Sequence, residues 1–145
     1  MRSTFLAGLV LALSFGAARA DNTSTVYDFD GSFDDATFSV ESAIVGKGLV
    51  IDYVSHTGDM LNRTGADVGS TEPLFEAADI FVFCSAVLSR KVMEINPMNI
   101  AHCPYGIFVA ERQGRVMIGY RNYPEGPMQE VQALLDDIAR EAVGE

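Results

Sequence analysis

The side chains best suited to chemistry are crowded into one stretch of this 145-residue chain, Phe83 to Arg112. It carries both cysteines, Cys84 and Cys103, one of the two histidines, His102, and Met93, Met98, Pro97 and Pro104. Two thiols near a histidine and two thioethers open three routes: a disulfide, thiol redox chemistry, or a site for a soft ion such as copper. The spacing already separates them. A catalytic dithiol usually takes the form Cys-x-x-Cys at a helix start, which is absent here, as is the Cys-x-x-Cys-His of covalent haem attachment. Met in an amphipathic helix is ordinarily core filler, so Met98, His102 and Cys103, with Met93, His56 and Met60, make only a weak metal set, and no cofactor is expected.

The compartment weighs on the thiols. Arg2, the apolar run Phe5 to Phe15 and Ala18-Arg19-Ala20 read as an export signal cleaved after Ala20. The apolar run is shorter than the roughly 20 residues a membrane span needs, and no later segment is apolar enough, so a soluble periplasmic or secreted domain without a stable membrane anchor is expected. In an oxidising compartment two cysteines most simply form one disulfide, Cys84 to Cys103, contributing on the order of 3 kcal/mol by closing a loop of about 20 residues.

Other candidates are scattered. His56, between a strand and the next helix, is the best placed general base for a hydrolase, with the Ser85 or Tyr105 hydroxyls as companions. Arg90 and Lys91 are an adjacent basic pair and, with Arg121, would suit an anion. The candidate ligand-binding set is therefore His56, Arg90, Tyr105 and Arg121. There is no Gly-x-Ser-x-Gly, no His-Glu-x-x-His and no phosphate-cradling Gly-Lys-Ser/Thr loop. The acidic run Asp28 to Asp35 fails as a calcium loop, because the sixth and twelfth positions hold Phe33 and Ser39. The formal charge is −10 and becomes −12 once Arg2 and Arg19 leave, with no basic cluster, which excludes nucleic acid as a partner.

The elements that must position these residues can be read in order. Residues 1–20 are the signal, 21–31 a flexible N-terminal segment in which Tyr27 to Asp30 offers a short edge strand, and 32–143 a single domain. Ser32 and Asp35 form a capping box for a helix over Phe33 to Val45, stopped by Gly46-Lys47-Gly48. Leu49 to Val54 is a strand and Thr57 to Thr64 a helix, followed by an irregular loop over Ala66 to Asp79. Asp79 to Cys84 is a buried strand, Ala86 to Ile95 a helix stopped by Asn96-Pro97, and Tyr105 to Glu111 and Arg115 to Arg121 a hairpin turning at Gln113-Gly114. Met128, Val131, Leu134, Leu135, Ile138 and Ala142 mark one face of a closing helix. Because the last two strands are a hairpin, an α+β fold fits better than a doubly wound sheet.

The ordered set Gly48-Leu49-Val50-Ile51, Phe83-Cys84-Ser85, Glu94-x-x-Pro97, Cys103-Pro104-Tyr105, the apolar strand ending in Glu111, and Gly114 followed by Val116 and Tyr120 resembles the domain of unknown function 302 family, over roughly Ser32 to Ala142. The resemblance implies a single compact α+β domain with a curved, mostly antiparallel sheet, helices on one face, and no assigned activity. Some relatives carry a His and a Cys at positions filled here by Arg90 and Tyr105, with the second cysteine moved to just before Pro104. The expected function is a non-catalytic exported module, disulfide-stabilised, that binds a small ligand or a periplasmic protein, or pairs with a second copy at the edge near Tyr27. Metal or thiol handling of a copper type is the alternative, and a hydrolase using His56 a weaker one.

Overall fold

The hairpin that the sequence marks most clearly is the middle of the molecule. In the computed structural model, which describes residues 23–145, β4 (Tyr105–Arg112) and β5 (Arg115–Arg121) pair antiparallel, with Ile107 opposite Tyr120 and Arg112 opposite Arg115. Gln113 and Gly114 both have positive φ, 54° and 71°, the left-handed geometry a two-residue hairpin turn requires. The export signal falls on residues 1–20, outside the described residues.

Three more strands complete a five-stranded, wholly antiparallel sheet in the order β1-β5-β4-β3-β2, not closed into a barrel, with four helices around it in one domain. β3 (Ala77–Cys84) runs beside β4 in unbroken register from Ala77 opposite Glu111 to Phe83 opposite Tyr105. β2 (Val50–Ser55) pairs with β3 around an irregularity at Asp52, so that Ile51 faces Phe83 while Tyr53 faces Val82. β1 (Ser24–Phe29) pairs along β5 from Ser24 opposite Arg121 to Phe29 opposite Val116. It begins three residues ahead of the expected Tyr27, so the segment expected to be flexible contains an edge strand. Its polar start is held by pairing with β5 rather than by any local apolar signal.

Helix α1 (Phe33–Gly46) starts at the anticipated capping box: Ser32 Oγ accepts from the Asp35 N–H at 3.1 Å, and the Asp35 carboxylate reaches back to Ser32. It buries Ala36, Val40, Ala43 and Ile44, against both the sheet and the closing helix α4 (Gln129–Val143), which turns Val131, Leu135, Ile138, Ala139 and Ala142 inward. Alternation then fixes which strand residues meet them. Tyr27, Phe81, Phe83, Tyr105, Ile107, Val109, Ile118 and Tyr120 share the core with these helices. The intervening residues, including Val82, Gly106, Phe108, Gly119 and Arg121, belong to the opposite face.

Two further helices flank the sheet. α2 (Thr57–Thr64) lies against β3 through Gly58, where a Cβ would sit 2.5 Å from the Ala78 nitrogen. α3 (Ala86–Ile95) follows Cys84 directly and leads into a 3-10 helix over Pro97–His102, a stretch expected to be loop. Asn96 ends α3 and caps the 3-10 turn by accepting from the Met98 N–H at 3.1 Å.

Candidate functional site

The end of β4 where Tyr105 begins is where the reactive side chains meet. Phe83 opposite Tyr105 is the last β3–β4 pair, so the next residue, Cys84, comes beside Pro104 and close to Cys103, whose bond to Pro104 is cis. Ser85 is buried and caps α3, accepting from the Leu88 N–H at 3.3 Å. One turn on, the Ser89 N–H donates to the Ser85 carbonyl at 2.8 Å. That sets Ser89 Oγ 2.7 Å from Tyr105 Oη and 3.6 Å from Cys103 Sγ.

Cys84 and Cys103 are free, half-buried thiols and are not at disulfide distance. The bridge expected from the sequence is therefore not formed in this structure, although the two side chains hydrogen-bond each other. The sheet register supplies the proximity, and the sulfurs meet as thiols. Burial pushes the Cys84 thiol up, and charge on Cys103 and the hydrogen bond to it push further the same way. Tyr105, fully buried, is also raised, first by burial, then by its hydrogen bond to Cys103. Cys84, Ser89 and Tyr105 are thus the polar neighbours of the Cys103 sulfur, and because the Ser89 and Tyr105 hydroxyls also bond each other, one of those two protons is committed to that bond.

Cys103 also opens onto a cavity of about 460 Å³. Its floor is the sheet face turned away from α1 and α4: Gly106 and Phe108 on β4, Ile80 and Val82 on β3, and Tyr53 on β2. Gly106, which carries no side chain, leaves part of the floor open, and the Phe108 ring occupies the space a Cβ on Gly119 would need. Ala101 to Tyr105, Tyr123, and Ser24 and Arg121, which pair across β1 and β5, complete its lining. The rings of His102 and Tyr123 stand edge to face at 5.6 Å, and those of Tyr105 and Tyr123 at 6.3 Å. Burial raises Tyr123 to about 12 against the opposing pull of Arg121. Arg121 is exposed and has no ion pair among the described residues, unlike Arg90, Arg115 and Arg140.

Of the residues singled out from the sequence, Tyr105, Arg121, His102 and Cys103 line this cavity. His56 and Arg90 do not. His56 Nδ1 lies 2.7 Å from Asp79 Oδ1 with its side chain 63% exposed, at the far end of β2 from Cys84. Arg90 is 81% exposed and pairs with Glu94 one turn along α3. Met98 is 69% exposed and outside the lining. No group of three or more His, Cys, Asp or Glu side chains converges among the described residues. The residues the sequence did not offer are Ser89, Tyr53, Phe108 and Tyr123. The hydroxyl of Ser89, four residues after Ser85 and so on the same helix face, was the one available signal.

A second polar cluster locks α4 to the sheet. Tyr27 and Tyr120 donate to the same Asp136 oxygen at 2.5 and 2.6 Å, and Arg140 Nε donates to the other at 2.9 Å. Burial works against the Asp136 charge, yet the hydrogen bonds from Tyr120, Tyr27 and Arg140 hold its carboxyl below the usual range. Its geometry is that of a satisfied structural clamp.

An open antiparallel sheet with helices packed around it, α1 and α4 against one face, defines an α+β domain. The chain belongs to the family described as domain of unknown function DUF302, whose pattern matches residues 25–143. The crystal structure of an uncharacterised conserved DUF302 protein from Bacillus stearothermophilus is similar in fold, with a TM-score of 0.59 at 15% identity, covering 82% of this chain and 91% of the other. No curated protein matches the chain.

Proposed function

We propose that this protein is an exported accessory module that binds a small organic anion with an apolar or aromatic body in the cavity beside Cys103. One observation carries the reading. A guanidinium with no ion pair among the described residues, Arg121, stands at the rim of a depression floored by Phe108, Ile80 and Val82 and flanked by tyrosines, on a protein of net charge −10. Such a site pairs a planar cation for a carboxylate with apolar surface for the remainder of the ligand. The leader read in residues 1–20 supports export, and N-terminal sequencing of the mature protein should begin at Asp21.

Benzoate is the simplest probe. It should raise the melting temperature of the wild type in a concentration-dependent way, as binding to the folded state alone requires, and Arg121→Gln should abolish the shift. Equal stabilisation of both proteins, or none of the wild type by benzoate and its aliphatic counterparts, would remove the proposal.

A further inference from the structure

The two sulfurs are not equivalent, and the difference has a chemical consequence. Cys103 lines the cavity, whereas Cys84, the last residue of β3, does not. Around Cys103 are the hydroxyls of Ser89 at 3.6 Å and of Tyr105, and the Cys84 thiol itself. We propose that the pair is a redox-active dithiol that reduces small organic disulfides bearing a carboxylate, with Cys103 as the attacking sulfur and Cys84 as the resolving one. The carboxylate part of this inference rests on the anion reading of the cavity; the order of attack does not.

The chemistry balances with the small disulfide as oxidant. Cys103 Sγ attacks one sulfur of the disulfide, forming a mixed disulfide and expelling the first organic thiolate, which takes up the proton Cys103 gives up. Cys84 Sγ then attacks Cys103 Sγ, closing the Cys84–Cys103 bond and expelling the second thiolate, which takes the proton from Cys84. Two cysteines are oxidised and one disulfide becomes two thiols. The geometry favours this order. The ligand meets Cys103 first, the Ser89 hydroxyl lies 3.6 Å from that sulfur, and the resolving Cys84 is its immediate neighbour outside the cavity. The register also keeps the backbones of the two cysteines adjacent, which closure requires. The raised Cys84 thiol is consistent with a sulfur that reacts only once its neighbour has.

The test uses 5,5′-dithiobis(2-nitrobenzoate), an aromatic carboxylate and a disulfide in one molecule, with 2-hydroxyethyl disulfide as its uncharged counterpart. The reduced wild type should release about two thionitrobenzoate ions per chain and retain no label, leaving an internal disulfide. Cys84→Ser should release about one and keep a mixed disulfide on Cys103 by peptide mapping, while Cys103→Ser should react about tenfold more slowly. Should Cys84→Ser fail to fold, rapid acid quenching of the wild type, with the transient label on Cys103, gives the same answer. Label found first on Cys84, two labels retained by the wild type, or a folded Cys84→Ser no faster than in urea overturns the order of attack. Arg121→Gln should slow the aromatic reagent but not the hydroxyethyl one. If instead it slows neither, the anion reading fails while the order of attack stands.

Discussion

The Tyr105 hydroxyl lies 2.7 Å from Ser89 Oγ, and that bond ties the first residue of β4 to the first turns of α3 beside the sulfur of Cys103. Both partners come from the cysteine-bearing segment but are sixteen residues apart, so the contact exists only when sheet and helix are both in place. Tyr105→Phe keeps the ring packed edge-on against Phe83 and Tyr123 and removes only the hydroxyl. Urea unfolding should show a loss of about 1 kcal/mol, the net worth of a neutral hydrogen bond. Tyr105→Leu also discards the ring contacts and should cost about 3 kcal/mol. Equal losses in the two variants would show that the hydroxyl, not the ring, holds this corner.

How far the sequence reveals this corner depends on the range of the interactions. The β4–β5 hairpin is legible because its alternation and its Gln113-Gly114 turn are local, and α3 because Ser85 and Asn96-Pro97 punctuate it. The α+β class follows from those elements. The cavity is not legible, since Tyr53, Phe108 and Tyr123 come from three separated segments and are assembled by register alone. His56 misleads for the same reason. It looks well placed at a strand–helix junction, yet Val50 opposite Cys84 and Ser55 opposite Ile80 put it a whole strand length, roughly 20 Å, from the thiols.

The Asp136 clamp predicts an acid limb. Its carboxyl is held below the ordinary value of about 3.9 by hydrogen bonds from Tyr120, Tyr27 and Arg140, so the unfolded chain binds more protons than the folded one as pH falls through that range. The stability it contributes is full above about pH 4 and lost below. Asp136→Asn should lower stability at neutral pH by about 1–2 kcal/mol, discounted for the exposed Arg140 side, and flatten the dependence below pH 4. Denaturant midpoints measured across pH 2 to 6 test this; parallel curves for the two proteins would exclude the clamp as the source.

Tyrosines set the alkaline limb with the opposite sign. Burial lifts Tyr27 and Tyr123 to about 12 and Tyr105 and Tyr120 higher still, against about 10 in an unfolded chain. Their neutral forms favour the fold, so stability falls as pH climbs from about 10 towards 12. Phenolate absorbance from these four residues should appear together with loss of secondary structure. Gradual ionisation in a chain that remains folded would contradict their burial.

Gly106, in the cavity floor, and Gly119, beneath the Phe108 ring, should behave differently on gaining a methyl group. At Gly106 the new Cβ would meet Ile80 Cγ2 at 3.3 Å, the end of a side chain that can give way, so Gly106→Ala should cost little stability and only narrow the cavity. At Gly119 it would lie 2.6 Å from the Thr25 carbonyl oxygen and 2.5 Å from Phe108 Cζ. The carbonyl belongs to β1 where that strand pairs with β5 and cannot withdraw without breaking the ladder, and the Phe108 ring, which lines the cavity, would have to shift. Gly119→Ala should therefore cost about 1–3 kcal/mol by overpacking and also weaken benzoate binding, whereas Gly106→Ala should affect binding far more than stability. Melting temperatures with and without benzoate separate the two effects. Equal destabilisation by both substitutions would mean that Phe108 and β1 do not rest on Gly119 as the structure places them.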